Sequence, residues 1–192
     1  MLPHAVDSLF GKVFLAVFPK KENGFKSHRG RIATILSEAA GFDVGELNVV
    51  DGKRPVFANS PFNANWTHCE NCCILAYSKT AIVGVDVEKI RPRNLRVAKR
   101  FFSEAEWTAL CKEQNYDPVA ECPDNKVASP LFFKLWCRKE AYFKCVGGSF
   151  FEDALPVNML EKFPGNEQCL EWLVDFEKET YQVTLAVKNR SL

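Results

Sequence analysis

Apolar and polar positions along this chain follow two periods, near two and near 3.6, and the changes between them mark its elements. Lys12–Phe18 is an apolar run of strand length, Val-Phe-Leu-Ala-Val-Phe after the lysine. Ser27–Ala40 has helical spacing and is closed by Gly41. Short β-type segments at 45–50 and 54–58 flank the turn Asp51-Gly52. Cys72–Tyr77 and Ala81–Glu88, separated by Ser78, Lys79 and Thr80, read as a hairpin. Asn94–Phe102 is helical, and Ser103-Glu-Ala-Glu106 is a capping box opening a further helix to about Gln114. Residues 115–128 are polar, hold two prolines and read as a surface loop. Ser129–Gly147 is the longest helical pattern, and Cys169–Phe176 with Tyr181–Lys188 closes the chain as a hairpin. Strands and helices mix without regular βαβ alternation, so the fold class is α+β.

Two of these elements break their own pattern. In the long helix Ser129 suits the N-cap, Pro130 the first turn and Gly147 the C-terminal cap. Phe132, Phe133, Trp136, Cys137 and Phe143 form its apolar stripe, while Lys134 and Arg138 mark the face expected in water. Glu140 falls inside the stripe and Lys144 follows one turn later, and a charge out of water is costly unless paired. In the strand, Val83, Val85 and Val87 point one way and Ile82, Gly84, Asp86 and Glu88 the other. Two carboxylates thus stand on one face about 6.5–7 Å apart at the backbone. Gly84 beside them leaves room for a close approach. Either a cation lies between them, for which Mg²⁺ suits carboxylate oxygens, or they are the wet face of an edge strand. Likewise Glu140 either joins them or pairs with Lys144 along its own helix.

Composition narrows the setting. The chain's 192 residues allow one compact domain or two small packed lobes, and sixteen Phe with four Trp can fill a core. A net charge of +1 and a pI near 7.5 give no general argument for nucleic acid or an anionic membrane, so neither partner is expected. No apolar run approaches the roughly 18 residues of a spanning helix, and Met1-Leu-Pro-His lacks the basic-then-apolar pattern of a secretory signal. The expected compartment is the cytoplasm. There the eight Cys read as buried free thiols, because Cys69-x-x-Cys72 has no second ligand pair for zinc. His68 is either an anion contact or a hydrogen-bonded loop residue. Lys20, Lys21, Lys26, Arg29 and Arg31 are either a phosphate-facing patch or the wet side of the first helix.

Three segments stand in order along the chain, Gly84-Val-Asp-Val-Glu88, Phe101-Phe-Ser-Glu-Ala-Glu106 and Trp136-Cys-Arg-Lys-Glu-Ala-Tyr-Phe-Lys144, and in them it resembles the 4′-phosphopantetheinyl transferases. These match the family's Gly-x-Asp-x-Glu, Phe-Phe-Ser-x-x-Glu and Trp-x-x-Lys-Glu-Ala-x-x-Lys motifs in order. The third-place Glu and the Trp-x-x-Lys-Glu-Ala pattern point to the larger single-chain, Sfp-type class. Asn65-Trp-Thr-His68 resembles its Asn-x-Ser-His segment, with Thr67 for Ser, and Gly52-Lys-Arg-Pro55 its Gly-Lys-Pro segment, with one residue more.

The resemblance implies two similar α+β lobes in pseudo-twofold arrangement, 1–80 and 81–192, with coenzyme A bound between them in a monomer. It implies Mg²⁺-dependent transfer of the 4′-phosphopantetheine arm to a Ser of an apo acyl or peptidyl carrier protein, with release of adenosine 3′,5′-bisphosphate. Asp86, Glu88 and Glu140 would hold Mg²⁺, Asp86 also facing coenzyme A. Lys144 would neutralise the diphosphate, and Glu140 would take the serine proton. Lys26, Ser27, Lys53 or Arg54, Thr67 and His68 would contact coenzyme A. The basic run Arg91–Phe102 would suit an acidic carrier, or is an ordinary amphipathic helix. A non-catalytic relative that only binds coenzyme A or a carrier is the alternative.

Overall fold

The computed structural model describes residues 4–20, 27–48, 55–70, 72–119, 126–147, 150–176 and 178–190. Its elements are β1 (His4–Ser8), β2 (Gly11–Pro19), α1 (His28–Ala40), β3 (Leu47–Asn48), β4 (Val56–Phe57), β5 (Asn63–Cys69), β6 (Cys72–Ser78) and β7 (Ala81–Lys89). They continue with β8 (Arg93–Asn94), α2 (Arg96–Phe101), α3 (Glu104–Glu113), β9 (Lys126–Val127), α4 (Pro130–Val146), a π-helical turn at Phe150–Ala154, β10 (Gln168–Phe176) and β11 (Glu179–Asn189).

Two antiparallel sheets dominate, ordered β1-β2-β6-β5 and β10-β11-β7. They face each other across one apolar layer: Leu15, Ile74 and Ala76 of the first meet Val83, Val85, Val87, Val183 and Leu185 of the second. The outer face of the first sheet packs on α1 through Ile32 and Leu36, and that of the second on α4 through Ala141 and Cys145. The order of layers is therefore helix, sheet, sheet, helix. The fold is α+β, as the mixed pattern of elements indicates.

The expected hairpin of Cys72–Tyr77 with Ala81–Glu88 does not form. β6 pairs with β2 and β5, whereas β7 pairs with β11. Every residue of β6 is buried, which suits a central strand with a neighbour on each side. Between the two strands the chain crosses from one sheet to the other. The Ser78 hydroxyl holds this crossing, donating to the Lys12 carbonyl (2.7 Å) and accepting from the amides of Thr80 and Ala81.

The helix signals hold in detail. Gly41 ends α1 at φ 81°, and Ser103 with Glu106 forms both bonds of the capping box. Ser129 caps α4 by accepting from the Phe132 amide, with Pro130 in the first turn and Gly147 at φ 84°. The water face expected on α4 is only half there. Lys134 is partly exposed, but Arg138 is buried and forks onto the Glu171 carboxylate at 2.8 and 2.7 Å. Its neighbour Lys139 is fully buried against Glu106 at 2.9 Å and donates to the Leu155 carbonyl at 2.7 Å. Glu106 also accepts from the Met159 amide, so this pair ties α3, α4 and the segment after the π-helical turn together. Burial pushes the Lys139 ammonium below the usual lysine range, and Glu106 counters it. The seven cysteines in the described residues are free thiols, six of them buried; Cys122 lies outside them.

Candidate active site

Gly84 determines how α4 meets β7. A Cβ added there would stand 2.2 Å from the Ala141 carbonyl oxygen and 2.4 Å from the Cys145 amide nitrogen. The helix backbone thus rests directly on the strand, and the Cys145 thiol donates to the Ile82 carbonyl at 3.6 Å. This close approach carries the inward edge of α4 to the acidic face of β7. Lys144 Nζ lies 2.6 Å from Asp86 Oδ1 and 3.7 Å from Glu140 Oε2. The Thr67 hydroxyl of β5 donates to the same Asp86 Oδ1 at 3.1 Å.

These groups line a cleft of about 400 Å³. Its lining comes from Asp86 and Glu88 of β7, Glu140 and Lys144 of α4, Trp66, Thr67 and His68 of β5, and His28 and Arg29 of α1. The imidazoles of His28 and His68 meet edge to face with centroids 5.1 Å apart. Burial and then the neighbouring His68 hold His28 below the usual histidine value, so it loses its proton readily.

The acids are unsettled as they stand. Burial pushes Glu88 above the usual carboxylate value, and Asp86 beside it adds to this. Burial raises Glu140 as well, the Lys144 ammonium only partly offsetting it. Burial alone would lower Lys144, but Asp86 and Glu140 more than compensate and hold it above the ordinary lysine range. Asp86 Oδ2 is buried without a hydrogen-bond partner, with the Cys137 thiol as its electrostatic neighbour. Among the described residues no three His, Cys, Asp or Glu side chains are grouped closely enough to hold a metal ion as they stand.

Of the candidates named from sequence, Thr67, His68, Asp86, Glu88, Glu140 and Lys144 come to this one cleft. Ser27 is the N-cap of α1 and does not line it. Lys26, Lys53 and Arg54 lie outside the described residues. Arg29, one of five basic residues with two readings, faces the cleft. His28 and Trp66 were not singled out, although each adjoins a residue that was.

A family model for the 4′-phosphopantetheinyl transferase superfamily matches residues 82–186, more than half of the chain. The chain belongs to this superfamily. The matched part contains both acids of β7 and all of α4. Among individual transferases, the chain is 30% identical over 138 residues to 4′-phosphopantetheinyl transferase HetI of Nostoc sp., covering 68% of this chain and 54% of that protein. It is 29% identical over 160 residues to a 4′-phosphopantetheinyl transferase of Bacillus subtilis, covering 77% and 66% respectively. A shorter match, 32% over 83 residues, is to Sfp of Bacillus subtilis strain 168 and covers 43% of this chain and 32% of Sfp. The chain thus spans between about half and two thirds of the first two transferases. No helix among the described residues is long and apolar enough to cross a membrane.

Proposed function

We propose that this protein transfers the 4′-phosphopantetheine arm of coenzyme A to a serine of an apo acyl or peptidyl carrier protein and releases adenosine 3′,5′-bisphosphate. One observation carries the reading: three acids and a lysine from β7 and α4 line a single cleft together with an imidazole pair and an arginine. Such a cleft suits a substrate with a diphosphate in its middle and a further phosphate at one end. In this reading residues 1–80 serve the nucleotide end and residues 81–192 the chemistry and the carrier, in a cytoplasmic monomer.

The donor chemistry suits Mg²⁺, with Glu88 and Glu140 having to draw in toward Asp86 to share it. Asp86 Oδ2 has no partner, and all three acids offer the hard oxygens this ion takes. Asp86, Glu88 and Glu140 would hold it, and when bound it supplies charge neutralisation at the diphosphate. The rest falls to the chain's own side chains. Lys144, charged and facing Asp86, bears on the same diphosphate. Arg29, His28, Thr67 and His68 receive the nucleotide end, His68 donating to a phosphate oxygen. Lys26, Ser27 and Lys53 or Arg54 enter as further coenzyme A contacts through family resemblance alone.

Phosphoryl transfer depends mainly on positioning and charge. The carrier serine oxygen forms a bond to the phosphorus bearing pantetheine, and the bond from that phosphorus to the bridging oxygen breaks. The electron pair leaves with adenosine 3′,5′-bisphosphate. The serine proton passes to Glu140, the acid on the inward edge of α4. Incubating the protein with apo carriers, coenzyme A and Mg²⁺ tests the reading by intact mass. Addition of one phosphopantetheinyl group is expected, and absence of it across acyl and peptidyl carriers would defeat the reading.

A further inference from the structure

β7 carries two of the three acids, yet it has one ladder partner among the described residues, β11. Its other edge has amides that need acceptors, since a buried unpaired N–H is costly. Val85 and Lys89 are four residues apart, so their amides leave the strand on the same side. The Val85 amide donates to Asn65 Oδ1 at 2.9 Å, and the Lys89 amide to Cys69 Sγ at 3.4 Å. Both acceptors lie on β5. Residues 65, 67 and 69 share one face of that strand by its alternation, and they meet β7 in step at 85, 86 and 88–89.

We infer that Asn65 and Cys69 are positioning residues whose side chains replace a missing strand along the free edge of β7 and so fix where Asp86 and Glu88 stand. Asn65 anchors the backbone one residue before Asp86. Cys69 does two things at once, accepting from the Lys89 amide and donating to Glu88 Oε2 at 3.7 Å. A thiol or hydroxyl can fill both roles and an alanine can fill neither. Between Asn65 and Cys69 on β5 the Thr67 hydroxyl completes the series on Asp86, joining the two sheets by side chains where no backbone ladder is formed among the described residues.

The latch itself stands on these bonds; its consequence for Mg²⁺ rests on the proposed function. Hydrogen exchange of residues 81–89 in metal-free protein and calorimetric Mg²⁺ titration without coenzyme A separate the two. Cys69→Ala is expected to speed exchange at Lys89 and to weaken Mg²⁺ binding about tenfold, the size usual for lost outer partners of metal ligands. Cys69→Ser is expected to return both toward wild type, which mere loss of packing would not produce. Asn65→Ala is expected to speed exchange at Val85; should that variant not fold, the Cys69 pair decides. Unchanged exchange and unchanged Mg²⁺ affinity in Cys69→Ala, or Cys69→Ser no better than Cys69→Ala, would overturn the inference. If wild-type protein binds no divalent cation, the metal assignment fails, and the exchange data alone decide the latch.

Discussion

Replacing Gly84 by alanine tests the packing that builds the cleft. The added methyl carbon would lie 2.2 Å from the Ala141 carbonyl oxygen, 2.4 Å from the Cys145 nitrogen and 2.8 Å from the Lys144 carbonyl carbon. All three are helix backbone atoms, so no rotamer change relieves the clash. Ordinary contact begins near 3.4 Å, so α4 must retreat by about 1 Å or β7 must bend away. Overpacking of this kind costs about 1–3 kcal/mol. At about 2–4 °C per kcal/mol for a chain of this size, the melting temperature should fall by roughly 2–12 °C. The retreat also draws Glu140 and Lys144 from Asp86, and a 1 Å misplacement can cost on the order of a hundredfold in rate. Scanning calorimetry and carrier loading below the melting transition read the two effects separately. A variant melting within 1 °C of wild type and loading at full rate would refute the claim that the bare Cα is needed for the helix to seat.

Glu140→Gln should abolish carrier loading while leaving the far-ultraviolet circular dichroism and melting cooperativity intact; undiminished loading would remove Glu140 as the base. Glu88→Gln should raise the melting temperature of metal-free protein at neutral pH, because burial and Asp86 make its charged form costly. The same shift fixes a pH dependence. A carboxyl with a raised folded pKa binds its proton more readily folded than unfolded, so Glu88 should add stability as pH falls through its raised folded value toward 4.5. That increment should be absent from Glu88→Gln in a calorimetric pH series. Lys139→Met should cost about 3–5 kcal/mol in denaturant titration, since it leaves the buried Glu106 carboxylate without its counter-charge.

What the sequence disclosed follows how far each signal reaches along the chain. Alternation alone puts Asp86 and Glu88 on one side of a strand, and a spacing of four puts Glu140 and Lys144 on one side of a helix. Caps such as Ser103 with Glu106 are settled within three residues. Arg138 looked like a surface residue because its partner Glu171 lies 33 positions away. Lys139 and Glu106 stand equally far apart, and nothing local marks them as a pair. The supposed hairpin of β6 and β7 failed for the same reason, since a short polar link suits a turn and a crossing alike. β1 was missed because His-Ala-Val-Asp-Ser offers no apolar run and owes its pairing to β2.

The pairing of β7 with β11 has a consequence for biosynthesis. Gly84 stands opposite Ala186 and Asp86 opposite Thr184, about a hundred residues later in translation. Until residues 179–189 leave the ribosome, β7 has no ladder on that flank, and Val83, Val85 and Val87 lack the apolar cover of Val183, Leu185 and Val187. Such distant closure is slow and leaves sticky surface exposed meanwhile. The acidic cleft therefore matures only after β11 has been made, and a nascent chain halted short of that strand should be a client for chaperones.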